Sequence, residues 1–131
     1  MEVISLSFME EKELKSILGE NIKKFRNKRG WNQLLLSEKI GISANYLSVV
    51  ETGKGWVTPL TLVKLAKVLD IDVYELFLPE IPAFYEHNKS DNEKIKRFAR
   101  DMALALENSA SDANNGFKKT IAKVCKEYLD S

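Results

Sequence analysis

Apolar residues recur at helical spacing along most of the chain. Leu14, Ile17, Leu18, Ile22 and Phe25 fall three or four apart, which lets one face of a helix be buried before Gly30 stops it. Ser7, followed three residues later by Glu10, offers a capping box that would extend this helix toward the N-terminus. Asn32 suits the N-cap of a second helix, roughly 33–40, ended by Gly41. Ser43 suits the N-cap of a third, roughly 44–52, ended by Gly53. Thr58 with Pro59 opens a fourth, whose buried stripe is Leu62, Leu65, Ala66 and Leu69. Asp72 and Glu75 can box the start of a short fifth helix carrying Val73, Leu76 and Phe77. No stretch alternates with period two between hairpin turns, so the predicted class is all-α.

Pro79 and Pro82 bracket a predicted linker, because each removes a backbone donor and turns its predecessor away from helix. Ser90 and Glu93 form another candidate capping box, followed by Ile95, Phe98, Ala99, Met102 and Leu106 at helical spacing. Asn108 to Gly116 is small and polar and reads as a loop. A last helix carries Phe117, Ile121, Val124, Cys125 and Tyr128 on one side. Two such helices bury little alone, so this C-terminal hairpin must lean on the rest of the chain or on another chain. The predicted organisation is an N-terminal extension at 1–11, a five-helix domain at 12–78, a linker at 79–90 and a helical hairpin at 91–131.

Composition narrows the chemistry. In 131 residues the formal charge is only +1, but it is uneven. Residues 12–77 hold eleven Lys and Arg against seven Asp and Glu, an excess of four, while residues 1–11 carry Glu2, Glu10 and Glu11. Lys23, Lys24, Arg26, Lys28 and Arg29 form a dense cluster that could meet phosphates or merely solvate a helix face. One Cys and one His exclude an internal disulfide and a multi-ligand zinc site, so no metal is expected. No GxGxxG or GxxxxGK[ST] occurs, His87 has no evident partner, and Cys125 falls on an apolar stripe, so neither catalysis nor a cofactor is expected. No apolar run suits a membrane span, and MEVISLSFMEE lacks the basic start and apolar core of a signal peptide. The expectation is a soluble, cytoplasmic protein.

The window from Gln33 to Thr52 carries the functional reading. Leu36 and Ile40 lie one turn apart and face inward, Ser37 allows close helix crossing, and Gly41 can turn the chain through the left-handed region. Ile42 plugs the turn, Ser43 caps the next helix, and Leu47 and Val50 anchor it. Ala44, Asn45, Tyr46, Ser48 and Val49 are left largely off the anchored side. A short helix pinned on one face and presented on the other is what entry into the DNA major groove requires.

This arrangement resembles the XRE-type, Cro/phage-repressor-like helix-turn-helix family. The resemblance covers about Ile17 to Phe77. It rests on Gly30, Asn32-Gln33, Gly41-Ile42-Ser43, Tyr46-Leu47-Ser48, Glu51-Thr-Gly53-Lys54 and Thr61-Leu-Val-Lys-Leu-Ala66 in this order. It implies a five-helix DNA-binding domain with helix 44–52 as the recognition helix. Ala44, Asn45, Tyr46, Ser48 and Val49 would then face or flank the bases, and Gln33, Ser43, Lys54 and Gly55 the phosphates. Arg26 and Glu51 match a structural pair tying the first helix to the third, and Gly41 the turn. Asn45 could make a two-point contact to adenine, and Ala44 or Val49 could pack on a thymine methyl.

Five positions depart from the family pattern. Leu34 and Leu35 stand where polar residues are usual, and are expected to pack against residues 1–12 or 80–131. Val49 leaves the base-reading set poor in donors. Trp56 and Val57 replace a polar-Pro pair, and Trp56 suits the core as well as an exposed stacking role. The function implied is a sequence-specific transcriptional regulator, a homodimer on a palindromic operator. The alternative is an antitoxin or controller protein that autoregulates and grips a partner protein through its C-terminal helices.

Overall fold

The computed structural model describes the backbone of residues 11–79, 93–108 and 114–130, and the side chains of all of these except 108 and 114–117. All regular structure in these residues is helical, as in the predicted class. The chain runs through α1 (Glu11–Lys28), α2 (Gln33–Ile40), α3 (Ala44–Glu51), α4 (Pro59–Leu69), a 3-10 turn (Val73–Leu76), α5 (Glu93–Asn108) and α6 (Asn114–Asp130). The boxes expected at Ser7/Glu10 and Ser90/Glu93, together with Pro82 and His87, involve residues outside those described.

The caps set the helix boundaries. Asn32, Ser43 and Thr58 each accept a hydrogen bond from a first-turn backbone N–H, at Leu35, Tyr46 and Thr61 respectively. Each bond satisfies one of the donors that a helix start leaves open. Gly41, at φ 77°, ends α2 in the left-handed region and donates to the Ser37 carbonyl. Asp70 ends α4 at φ 58°, an uncommon conformation that Asp tolerates better than most residues.

Two local expectations change. The fifth helix is a single 3-10 turn, with Glu75 N–H bonded to Asp72 and Phe77 N–H to Tyr74. Four residues between two core anchors leave no room for a longer α-helix. Of the residues expected as a loop at 108–116, Asn108 belongs to α5 and Asn114 to Gly116 belong to α6, while 109–113 lie outside the described residues. First-turn positions tolerate Asn and Gly because their N–H groups have no intrahelical partner to lose.

One apolar cluster joins all the elements, from Leu14 through Leu36, Leu47, Leu65 and Phe77 to Met102, Ile121 and Tyr128. The C-terminal helices pack against each other, α5 on the 3-10 turn and α6 on α1. The hairpin therefore leans on its own chain. Phe98 supports this join, with ring centroids 6.2 Å from Tyr74 and 5.0 Å from Tyr128. Asn21 adds a polar clasp by donating to the carbonyls of Leu76 and Leu78, each at 2.9 Å. No described helix is long and apolar enough to cross a membrane.

Cys125 lies in this join, fully buried, with its thiol directed at the Phe77 carbonyl at 3.6 Å. Burial pushes its pKa up to about 12. At pH 8 the native thiol should therefore react with a disulfide reagent on the order of a thousand times more slowly than the unfolded chain. Because the folded pKa is the higher one, this group's contribution to stability is complete below about pH 8.5 and is lost as pH rises. Rapid labelling of the native protein at pH 8 would show that the hairpin opens readily.

Candidate nucleic-acid interface

The site is built around α3. Leu47, Val50 and Glu51 are its buried residues, while Asn45 and Val49 are exposed one turn apart. Ala44 and Ser48 are half-buried beside them. Ser43 is exposed at the N-cap, and its oxygen is engaged by the Tyr46 N–H at 3.0 Å. Tyr46 is tied down instead of presented freely. Its ring packs against the core, and its hydroxyl donates to the Trp56 carbonyl. Burial raises the pKa of that phenol.

The loop after α3 is held close to it. Gly53, at φ 81°, and Lys54 return their N–H groups to the carbonyls of Val50 and Val49. Gly55 lies so near α3 that an added Cβ would stand 3.0 Å from Val49 Cγ1. The Val49 side chain is thus seated against the loop, and Lys54 is exposed next to it. Asn45, Val49, Lys54 and Gly55 share this end of the molecule.

Behind α3 is a buried polar network. Arg26 grips Glu51 with two hydrogen bonds, Nε to Oε2 at 2.7 Å and Nη2 to Oε1 at 2.8 Å. Its remaining nitrogen donates to the Trp31 carbonyl at 2.8 Å. The hydrogen bond to Glu51 holds the Arg26 guanidinium above its ordinary pKa. Gln33, opening α2, donates to Glu51 Oε1 at 3.0 Å. One carboxylate therefore links α1, the start of α2 and the end of α3.

The basic cluster on α1 is divided. Arg26 is committed to Glu51, and Arg29 donates to the Leu69 carbonyl at the end of α4. Lys24 and Lys28 each lie 5.6 Å from the centre of the Phe25 ring. With Lys23 they are exposed, but the five residues do not form one phosphate-facing array.

Other departures resolve differently. Leu34 and Leu35, expected to pack within the chain, remain 56% and 38% exposed, because α2 turns Leu36 and Ile40 inward. Val57 is core, and Trp56 is half-buried against Phe77. Gly19 was not legible as a site residue. An added Cβ there would stand 2.7 Å from the Glu51 carbonyl oxygen and closer still to that of Val50. α1 and α3 thus meet backbone to side-chain-free backbone. A glycine inside an otherwise good helix was the available signal. Among the described residues, no group of three or more His, Cys, Asp or Glu could hold a metal ion.

The sequence pattern of the helix-turn-helix family matches residues 22–76. A Neisseria meningitidis protein named Neisseria hypothetical transcription factor is 31% identical over 70 residues, 53% of this chain and 66% of the relative. Control protein C.SmaI from Serratia marcescens is 38% identical over 49% of this chain and 76% of its own length. A Sinorhizobium fredii protein named uncharacterized HTH-type transcriptional regulator y4dJ is 31% identical over 51% of this chain and 87% of its own length. The crystal structure of the hypothetical transcription factor NHTF from Neisseria superposes with a TM-score of 0.50 at 30% identity, covering 55% of this chain and 83% of that one. All of these matches fall short of the full chain. With its helical fold and the capped, half-presented α3, the chain belongs to the XRE-type helix-turn-helix family of DNA-binding transcription regulators.

Proposed function

We propose that this protein is a sequence-specific transcriptional regulator that acts as a homodimer and inserts α3 into the major groove of a palindromic operator. The observation that carries the reading is the division of α3. Leu47, Val50 and Glu51 are buried, and Asn45 and Val49 are left for a ligand. Asn45 offers the paired donor and acceptor that match adenine N7 and N6, and the Val49 methyls match a thymine methyl. Ala44 and Ser48 flank them, and Tyr46 braces the helix from behind. Lys54 and the N–H groups at Ser43, Gln33 and Gly55 meet phosphates. One such half-site discriminates weakly, so two copies about 34–36 Å apart supply the remaining specificity.

Selection of bound duplexes from a random pool tests this directly. A palindrome should emerge, and its affinity should fall steeply with salt. Asn45→Ala should weaken the selected site about ten-fold and relax its preference at one adenine, leaving the salt slope unaltered. Lys54→Ala should weaken all duplexes alike and reduce the slope by about one. Affinity that does not change between low and high salt would overturn the reading.

A second reading is supported by the similarity to a control protein. In it, DNA binding is autoregulatory and the C-terminal helices hold a protein partner, for which Leu104 and Leu129 are the exposed apolar residues. A second polypeptide co-purifying in fixed ratio, and lost on Leu104→Glu, would favour it.

A further inference from the structure

Trp56 is not explained by the DNA-reading geometry, yet contacts converge on it from three directions. Its carbonyl accepts the Tyr46 hydroxyl of α3. Its ring lies 5.9 Å from that of Phe77, tilted by 47°. On α6, the Lys118 ammonium stands 5.6 Å from its ring centre. That ammonium is paired with Glu11 at the start of α1, and the Lys118 side chain is only 21% exposed. The hydrogen bond from Lys118 holds the Glu11 carboxyl below its usual range. On the other side of the same loop, a Cβ on Gly53 would sit 3.4 Å from the Ser16 Cα of α1.

We infer that Lys118 is a positioning residue for DNA binding: fixed by Glu11, it clamps the Trp56 ring and thereby sets the Gly53–Val57 loop and the first turn of α3. This rests on the DNA-binding reading above. An ammonium over an indole face is attracted by the negative charge above the ring, and more strongly where water is partly excluded. A long Lys side chain is costly to immobilise, and the carboxylate of Glu11 offsets that cost by restricting where the ammonium can lie. The clamp links two parts of the chain distant in sequence. The loop that carries Lys54 and Gly55 is held by α1 from one side and α6 from the other. The Tyr46 hydroxyl passes the loop's position to α3. Displacing α6 releases Trp56, and DNA affinity declines without loss of any phosphate or base contact. A protein that captures the C-terminal helices would act on DNA binding by this route.

The test uses the full chain with Lys118→Met, Lys118→Arg and Glu11→Gln. Methionine keeps an apolar stem of similar length, and arginine keeps the cation. Affinity for the selected duplex should fall about three- to five-fold in Lys118→Met and stay within about two-fold in Lys118→Arg. Glu11→Gln should fall between them. The slope of affinity against salt should be unchanged, since Lys118 touches no phosphate. In a Trp31→Phe background Trp56 is the sole indole of the two in the sequence, and its emission should shift to the red in Lys118→Met without DNA present. Unchanged affinity with unchanged emission would overturn the inference. So would a slope reduced by about one with unchanged Trp56 emission, which would make Lys118 a direct phosphate ligand and not a clamp on the loop. If the unmodified chain selects no duplex, the functional reading fails, and the emission measurement still decides whether the clamp exists.

Discussion

Gly19→Ala should destabilise the protein by about 2–3 kcal/mol, although alanine is the better helix former by about 1 kcal/mol. The two considerations differ in sign, and contact decides between them. The new methyl would lie 2.7 Å from the Glu51 carbonyl oxygen, and the nearest atoms on α3 are backbone, which cannot rotate away. An ordinary carbon–oxygen contact is about 3.3 Å, so α1 and α3 must separate by roughly half an ångström or more. Leu14, Leu18 and Ile22 pack the same face of α1 and are fully buried, so the shift also loosens the core. A thermal melt followed by circular dichroism should show the midpoint lowered by about 10 °C. A raised midpoint would mean that the helices do not approach this closely. The DNA contacts should weaken as well, since α3 is the element displaced.

Removing one member of the Arg26–Glu51 pair should have an effect of the same order or larger. Glu51→Ala leaves a guanidinium, 9% exposed at its side chain, without its carboxylate, a loss of about 3–5 kcal/mol. It also removes the acceptor of Gln33 and so frees the start of α2. Arg26→Met combined with Glu51→Leu should recover most of that stability, because no unpaired charge remains buried. Recovery will be incomplete, since the Trp31 carbonyl loses the Arg26 donor. Urea unfolding of both singles and the double decides the matter. Additive losses would mean the pair is not coupled. The double variant also separates stability from function. If Glu51 orients Gln33 toward a phosphate, DNA affinity should stay reduced in a protein that folds well.

Much of the architecture follows from local rules. Asn32, Ser43 and Thr58 cap helices, and Gly30, Gly41 and Gly53 adopt positive φ, because these residue types satisfy open N–H groups or relieve a Cβ clash wherever they occur. The buried stripes of α1, α4, α5 and, from Ile121 onward, α6 were legible from spacing alone, as was the exposure of Asn45 and Val49, while the Phe117 side chain lies outside those described. The short fifth element was harder to read, since four residues are compatible with either helix type.

Other features depend on residues far apart in sequence that only packing brings together. The family resemblance pairs Arg26 with Glu51, and the two are paired, but nothing local marks Glu51 as the acceptor of Gln33 as well. Tyr46 has the spacing of a presented residue, but the return of the loop brings the Trp56 carbonyl to its hydroxyl. Lys118 and Glu11 lie 107 positions apart and meet because α6 packs on α1. Periodicity and caps determine which face of each helix is apolar and where each helix stops. They cannot determine which polar groups become neighbours, because that depends on how the buried faces are stacked, and hydrogen bonding then selects partners over distances the local pattern does not encode.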